Sequence, residues 1–269
     1  MNLKEKESAV LDLLKESGSV AVAFSGGGDS TLVCSLAFEA LGERAVAVIG
    51  RSPLDPLEGL EGARRTALTI GITLHEIEVQ AMSDERLVSN SPDRCYHCKK
   101  LLFKAIADLA AVLGIDSIAD GSTSDDLSDV RPGMRAKEEY RVRSPLLEAG
   151  ISKEEVREIS KSRGLQTWDK PSAACLASRV PYGTKITGDL LERIARAERF
   201  LKSNGFSQVR VRAHGHIARI EIDPQEMNRF LEMREKIAKE LKAAGFTYIS
   251  LDIEGFRSGS MNETLTRTG

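Results

Sequence analysis

Residues 20–41, VAVAFSGGGDSTLVCSLAFEAL, constrain the fold of this chain more than any other segment. They consist of an apolar β-rich run, the loop SGGGDS at residues 25–30 and an apolar run with helical spacing. Three consecutive glycines let backbone N–H groups converge, and a helix start adds its own N–H groups and its positive dipole end. The segment therefore predicts a strand, an anion-binding loop and a helix N-terminus.

This loop is not a Walker A motif, because no Gly-Lys-Ser/Thr follows and no lysine is available there for the β- and γ-phosphates. It resembles the SGGxDS loop of the PP-loop ATP pyrophosphatases, which split ATP between the α- and β-phosphates and adenylate a substrate. Gly28 stands where that family more usually has valine, which is expected to loosen the loop without removing an N–H donor. The resemblance implies an ATP-binding loop formed by Ser25, Gly26, Gly27, Gly28, Asp29 and Ser30.

Composition narrows the class of protein. A chain of 269 residues can bury one large core and a smaller satellite domain, and its 41% hydrophobic and 29% charged residues are typical of soluble globular proteins. No apolar run approaches a membrane span and no signal-like start is present, so the expected compartment is the cytoplasm. A net charge of −2 argues against a broad basic surface for nucleic acid. Four cysteines do not make a disulfide framework, so their value lies in metal binding or chemistry.

Strands and helices alternate along residues 1–166. The apolar patterns predict strands at 19–24, 44–49, 73–79 and 117–119, and helices at 2–16, 57–70 and 95–113. Such alternation predicts an α/β fold with a doubly wound parallel sheet, whose ligands sit at the carboxyl ends of the strands. Both the glycine loop and Asp120-Gly121 follow strands of this kind.

The segment 167–187, TWDKPSAACLASRVPYGTKIT, has little periodicity and is too long for an idle connection. It is predicted to be an active-site loop and a linker. Beyond it, residues 188–269 read in the order α-β-β-α-β, which indicates a smaller C-terminal α+β domain. Its predicted elements are helices at 187–204 and 225–243 and strands at 208–213, 216–222 and 247–253.

Cys95 and Cys98 lie three residues apart at the start of a predicted helix. Two thiols at this spacing bind one metal ion or cluster, alternate between dithiol and disulfide in a redox reaction, or have no shared role. A closed zinc site needs four ligands, which Cys175 and His97 could complete, while an iron–sulfur cluster with three thiolates and one open iron fits the count as well.

Cys175 lies in the aperiodic loop, close in sequence to Lys170, Arg179 and Lys185. Cationic neighbours favour the thiolate, which is a nucleophile and a sulfur source. The alternative interpretation is a small buried residue within AACLA. Cys34, in the apolar helix after the glycine loop, is expected to be a core residue.

Charged side chains mark two further places. Asp120 and the acidic residues after it, including Asp129, are suited to Mg²⁺ or a ribose, or else form a solvated turn. Arg210 and Arg212 alternate along a strand, so both share one face with a spacing suited to phosphate, although ordinary surface patterning would look the same. Glu221, on the neighbouring strand, is a candidate to bind a metal or to pair with these arginines.

Several separate motifs together resemble one family over essentially the whole chain, the ATP-dependent sacrificial sulfur transferases (LarE). The matching segments are FSGGGDST, RCYHCK, DGSTSDDLSDVRPG, SPLLEAGISKEEVR, DKPSAACLASRVPYGTKIT, RVRAHGHIARIEI and GFRSGSMNE. The resemblance implies an adenine-nucleotide α-hydrolase-like fold and a task in building the nickel-pincer nucleotide. In that family ATP adenylates a carboxylate of a pyridinium dicarboxylate mononucleotide, and a sulfur then converts it to a thiocarboxylate.

The resemblance also implies residue roles. In the simple branch of the family the loop cysteine, here Cys175, gives up its own sulfur and becomes dehydroalanine. Cys95 and Cys98, which single-cysteine members lack, resemble the branch in which three cysteines hold a [4Fe–4S] cluster whose fourth iron can carry an extra sulfide. Carried over by position, Asp29, Lys99, Arg179 and Cys175 are catalytic, Asp120, Ser178, Arg210 and Arg212 join the loop in binding ATP or substrate, and Cys95, Cys98, Cys175 and Glu221 are metal ligands.

The expected partner is the small pyridinium nucleotide, with no nucleic acid or membrane, and the expected assembly is a homo-oligomer. A tRNA thiolase also combines a PP-loop with CxxC and a distant cysteine, but it needs a nucleic-acid surface. An amidating enzyme similar to NAD or GMP synthetase would not need the three cysteines. A non-catalytic cluster or nucleotide sensor is the remaining alternative.

Overall fold

The computed structural model describes residues 1–128, 133–170, 174–257 and 259–262, which divide into two compact units. The first unit comprises Met1–Ala81 and Asp93–Ala173, and the second comprises Met82–Pro92 and Ala174–Gly269. The placement of residues 82–92 in the second unit was not anticipated from the residue pattern.

The first unit is built on a four-stranded sheet in which every strand is parallel. Its strands are β1 (Val20–Ala23), β2 (Ala45–Arg51), β3 (Thr73–Glu78) and β4 (Ser117–Ala119), in the order β3-β2-β1-β4. The central strand β1 pairs Val20 with Ala45 on one side and with Ser117 on the other. Apolar runs such as VAVA suit a strand that is covered on both faces.

Helices cover both faces of this sheet. They are α1 (Leu3–Glu16), α2 (Gly28–Leu41), α3 (Leu57–Ile70), α5 (Arg94–Leu113), α6 (Gly133–Glu139), α7 (Pro145–Glu148) and α8 (Lys153–Ser162). Val20 and Val22 belong to one buried cluster with residues of α1, α2, α3 and α8, whereas Ala21 belongs to a second cluster with residues of α5 and α6. Because successive strand residues point to opposite faces, the two clusters confirm the doubly wound α/β prediction.

The second unit contains a separate three-stranded sheet. It comprises α4 (Glu85–Val88), α9 (Gly188–Ser203), β5 (Val209–His214), β6 (Ile217–Ile222), α10 (Met227–Glu232), α11 (Arg234–Ala243) and β7 (Tyr248–Leu251). Strand β6 lies in the middle, antiparallel to β5 and parallel to β7. The predicted single helix over 225–243 is wrong, because a 3₁₀ turn at Pro224–Glu226 comes first and Met233, with ψ of 7°, separates α10 from α11.

None of the helices within the described ranges is long and apolar enough to cross a membrane.

Candidate functional site

The glycine loop joins β1 to the first residue of α2. Gly26 has φ of +70°, and a Cβ there would lie 3.0 Å from the side chain of Ala63, so only glycine fits. Gly27 is the extended residue before α2, and Gly28 is the first helical residue. A Cβ on Gly28 would lie 3.1 Å from the carbonyl oxygen of Thr167, so this glycine makes room for the segment that follows α8.

Hydroxyl groups hold the loop in shape. Ser30 Oγ accepts the backbone N–H of Ser25 at 3.2 Å and lies 3.0 Å from Ser25 Oγ. Thr31 donates from both its backbone N–H (3.0 Å) and its hydroxyl (2.7 Å) to the carbonyl of Gly27. Gly27 offers no side chain to cap α2, so the N–H groups of the first turn are directed to whatever occupies the loop. This geometry suits a phosphate-sized anion.

Asp29 is the second residue of α2, beside the loop. Burial raises the pKa of its carboxyl group, an effect that the nearby Lys153 opposes and that the carboxylate of Asp126 reinforces. A carboxylate in this position is stabilised by a cation, and the helix N-terminus favours its charged form.

Asp120 follows β4 and is buried, with a ring of donors around its carboxylate. Oδ1 accepts the hydroxyl of Ser144 at 2.7 Å and the N–H of Ser122 at 3.1 Å, and Oδ2 accepts the hydroxyl of Ser122 at 2.8 Å. Lys137 Nζ lies 3.4 Å from Oδ2. Asp129, predicted as part of the same acidic segment, lies outside the described residues.

The CxxC pair occupies the start of α5. Cys95 is exposed and Cys98 is half-buried, and all four cysteines of the chain are outside any disulfide. Several contacts join α5 to α6. Tyr96 donates its hydroxyl to Glu139 at 2.5 Å, and a Cβ on Gly133 would lie 2.6 Å from Cδ of Lys99. Lys99 is therefore held along α6, one residue from Cys98.

Cys175 precedes a 3₁₀ turn, Leu176–Arg179, in the second unit. Its carbonyl accepts the N–H of Ser178 at 3.1 Å, the hydroxyl of Ser178 at 2.8 Å and Nη1 of Arg179 at 2.9 Å. Arg179 Nη1 also donates to the carbonyl of Ala174 at 2.8 Å. The guanidinium thus holds the backbone on both sides of the half-buried thiol.

Arg179 itself is anchored by Glu198 of α9. The side chain of Arg179 is 2% exposed, and Nε and Nη2 donate to the two oxygens of Glu198 at 2.8 and 3.0 Å. Glu198 Oε1 also accepts the N–H of Val211 in β5 at 3.0 Å. Because its Nε, Nη1 and Nη2 atoms all donate to Glu198 or to the loop, Arg179 is placed to position the thiol.

Arg210, Arg212 and Glu221 lie on one face of the small sheet, as the alternation predicts. Arg212 is buried, donates to Glu221 at 2.7 Å and reaches the carbonyl of Ser178 at 3.0 Å. Glu221 is fully buried, and its other oxygen accepts Arg219 at 3.0 Å and the hydroxyl of Ser260 at 2.7 Å. This is the pairing alternative for Glu221, whose role as a metal ligand stays a prediction.

Arg210 is half-buried, with its guanidinium 5.1 Å from the ring centroid of Phe256. Burial and the neighbouring Arg179 lower the pKa of Arg210. Arg212 Nε is buried without a partner within the described residues. The guanidinium groups of Arg210 and of Arg212, which is paired with Glu221, are of a type that binds anions such as phosphate.

The predicted residues therefore fall into two sets. The first unit brings the glycine loop next to Asp120, and it also carries Lys99, Cys95 and Cys98. The second unit joins Cys175, Ser178, Arg179, Arg212 and Glu221 through hydrogen bonds centred on the carbonyls of Cys175 and Ser178. Within the described ranges, no three or more His, Cys, Asp or Glu side chains are grouped to hold a metal ion.

The residues of these networks that were missed from the sequence include Lys137, Ser144, Glu198 and Ser260. Glu198 had a readable signal, because it falls in register with the apolar positions Leu191, Ile194 and Leu201 of α9. A carboxylate on an apolar helix face needs a buried partner. The other three gave no comparable signal, because their partners are distant along the chain.

No family model matches the chain. An uncharacterized protein of Synechocystis sp., slr1717, is 41% identical over 267 residues, covering 98% of this chain and 100% of the relative. The pyridinium-3,5-bisthiocarboxylic acid mononucleotide synthase of Lactiplantibacillus plantarum is 38% identical over 266 residues, covering 98% and 96%. The tRNA-specific 2-thiouridylase MnmA of Nocardioides sp. is 28% identical over 193 residues, covering 57% and 52%. Full-length identity of this order, together with the glycine loop in place before α2, shows that the chain belongs to the LarE family of pyridinium-3,5-bisthiocarboxylic acid mononucleotide synthases.

Proposed function

We propose that this enzyme of sulfur transfer uses ATP to adenylate a carboxylate of a pyridinium dicarboxylate mononucleotide and then converts it to a thiocarboxylate, a step in nickel-pincer nucleotide synthesis. The observation that carries the proposal is the glycine loop, shaped by Gly26 and by the serine hydroxyls at the start of α2. The full-length similarity to the L. plantarum synthase supports the substrate class.

The chemistry follows from what each group offers. A carboxylate is a poor electrophile, so an oxygen of the substrate attacks the α-phosphorus of ATP and pyrophosphate leaves. The first-turn N–H groups of α2 would stabilise the phosphates, and we assign Asp29 beside them to hold Mg²⁺, which would neutralise charge on the leaving group. A sulfur nucleophile then attacks the acyl carbon and AMP leaves.

Cys175 is the residue that we assign to the site of this second step, as a cluster ligand beside the attacking sulfide or, in the alternative, as the attacking thiol itself. Arg179 and Ser178 bind its carbonyl and fix the backbone around it, while Lys99 remains a predicted participant from the first unit. Arg210 and Arg212 are proposed to bind the phosphate of the substrate or of AMP, because Arg212 contacts the carbonyl of Ser178 beside Cys175.

The three thiols Cys95, Cys98 and Cys175 remain our proposed ligands of a [4Fe–4S] cluster. Cys95 and Cys98 share the first turns of α5, and cysteine thiolates are the donors that such clusters require. When bound, a cluster with three protein ligands supplies one iron open to an extra sulfide. The alternative is that Cys175 gives up its own sulfur. We also propose a homo-oligomer in the cytoplasm.

A tRNA thiolase is the second candidate, because 2-thiouridylases match part of the chain. Those matches cover 57–60% of this chain, whereas the synthase covers nearly all of it, and the net charge of −2 gives little support for a polyanionic substrate.

The test is to incubate the protein with Mg²⁺-ATP and the pyridinium dicarboxylate mononucleotide and to identify the products. We expect AMP and pyrophosphate from the wild type and from Asp108→Asn, an exposed control on α5, and none from Asp29→Asn. ADP and phosphate would contradict the proposal. Mass spectrometry separates the two sulfur routes, since loss of about 34 Da at Cys175, the mass of H₂S, indicates sacrifice and an intact Cys175 with about four irons per chain indicates a cluster.

A further inference from the structure

A buried lysine lies beside the carboxyl end of β4. Lys137 of α6 is 5% exposed, and its Nζ donates to the hydroxyls of Ser122 at 2.8 Å and Ser144 at 3.0 Å. An ammonium group removed from water is costly unless a carboxylate compensates it. Asp120, 3.4 Å away, is that carboxylate.

The four side chains form a closed ring. Ser122 and Ser144 each accept from Lys137 and donate to Asp120, as the distances above show. With the N–H of Ser122 included, the carboxylate accepts three hydrogen bonds and faces the ammonium of Lys137, so little of its capacity of roughly four lone-pair sites is left for another partner. Asp120 is thus engaged internally, and this arrangement disfavours its predicted role as a direct ligand of ATP or Mg²⁺.

The ring fixes the backbone that touches the glycine loop. Gly121 follows Asp120, and a Cβ on Gly121 would lie 2.7 Å from the backbone nitrogen of Ser30 and 2.9 Å from the carbonyl carbon of Asp29. The chain after β4 therefore lies directly against the first turn of α2. A small displacement of Asp120 moves this contact, because the two residues are adjacent.

We propose that Lys137 is a positioning residue, which, through its buried ion pair with Asp120, seats Gly121 against the first turn of α2 and so sets the direction of the phosphate-binding N–H groups. This rests on the proposed use of ATP. Asp120 acts through Gly121 and does not touch the nucleotide or its metal ion.

A double-mutant cycle tests the proposal. Asp120→Asn leaves the ammonium of Lys137 buried without a carboxylate, and Lys137→Met leaves the carboxylate of Asp120 buried without a cation. The double variant removes both charges, and its amide at position 120 can still hydrogen-bond to Ser122 and Ser144. We expect each single variant to lower kcat/KM for AMP formation at least about tenfold, and the double variant to recover to within about threefold of the wild type.

The Mg²⁺ concentration at half-maximal rate gives a readout that a direct metal ligand would move. In the double variant it should match the wild type. A double variant as inactive as Asp120→Asn, or one that needs more Mg²⁺, would show Asp120 to be a ligand and overturn the proposal. If both single variants are insoluble, a soluble and active double variant supports the positioning role of the Lys137–Asp120 pair, and an insoluble double variant refutes it.

The exposed pair Lys104 and Asp108 of α5, with Nζ and Oδ2 2.7 Å apart, supplies a matched control. Lys104→Met and Asp108→Asn should show no coupling, because water already solvates both charges. The same cycles followed by urea unfolding need no turnover. If the wild type forms no AMP, the proposed function fails, while coupling in the unfolding free energy still tests the Lys137–Asp120 pair.

Discussion

Replacing Arg179 should both loosen the loop at Ala174 and Cys175 and lower the stability of the second unit. The side chains of Arg179 and Glu198 are 2% and 3% exposed, so Arg179→Met leaves a carboxylate buried with only the N–H of Val211 as a remaining donor of this network. Breaking a buried pair in this way costs about 3–5 kcal/mol, a large share of the roughly 5–15 kcal/mol that holds a domain folded. At about 2–4 °C per kcal/mol, the melting temperature should fall by roughly 6–20 °C.

Arg179→Lys separates the two roles of the guanidinium. A lysine keeps the charge beside Glu198, but its single nitrogen cannot reach the carboxylate and the carbonyls of Ala174 and Cys175 in the same fork. We therefore expect a smaller loss of stability than in Arg179→Met, with an equally loosened loop.

Two measurements check this pair of variants. Hydrogen exchange in peptides from α9 and β5 reports the stability of the second unit, and alkylation of the Cys175 thiol reports the order of its loop. Lys185→Met is the control, because Lys185 pairs with Glu85 at 3.0 Å with both side chains more than half exposed, which predicts a change below about 1 kcal/mol. The reasoning is refuted if Arg179→Met changes stability by less than about 1 kcal/mol and leaves the alkylation rate of Cys175 unchanged.

Two further predictions concern the glycine loop. Gly121→Ala should abolish AMP formation, because its Cβ would meet backbone atoms of Asp29 and Ser30, and an active variant would contradict this close approach. The control is Gly59→Ala in α3, where a Cβ meets open space, and it should raise the free energy of unfolding by roughly 0.5–1 kcal/mol. Lys170 Nζ donates to the Gly26 carbonyl at 2.7 Å, and partial burial together with Arg65 lowers the pKa of Lys170. Lys170 therefore loses its charge at a pH below the usual lysine pKa of about 10.4. As pH rises through that lower pKa, KM for Mg²⁺-ATP should rise in the wild type and stay constant in Lys170→Arg, whose guanidinium keeps its charge. The same dependence of KM on pH in both proteins would contradict this role of Lys170.

Much of the fold was predictable because its signals are local. The helix predicted at 57–70 and the strand at 117–119 match the structure, since apolar spacing and the glycines that end these segments lie within a few residues of one another. The helix α8 carries a capping box at Ser152 and Glu155 that could have been read from the sequence and was not. The break at Met233 has no proline or glycine to announce it.

The reactive groups of the site could be predicted from the sequence more readily than the residues that hold them in position. Cys175 and the glycine loop stand out because their residue types carry chemistry. The partners that orient them, such as Glu198 for Arg179 and Lys137 for Asp120, lie 19 and 17 residues away along the chain and meet only after folding. Cys34 is fully buried, as its apolar helix predicts, and burial raises the pKa of its thiol.

Because Met82–Pro92 belongs to the second unit, the polypeptide passes between the units three times. Asn90 donates from its side chain to the carbonyls of Val180, Pro181 and Thr184, at distances of 2.8 to 3.2 Å. During synthesis this early segment leaves the ribosome long before those acceptors exist. A gene fragment for residues 1–173 would carry Met82–Pro92 without the rest of the second unit, and a fragment starting at residue 174 would lack that segment. A single cut in the gene therefore cannot separate the two units into exchangeable modules.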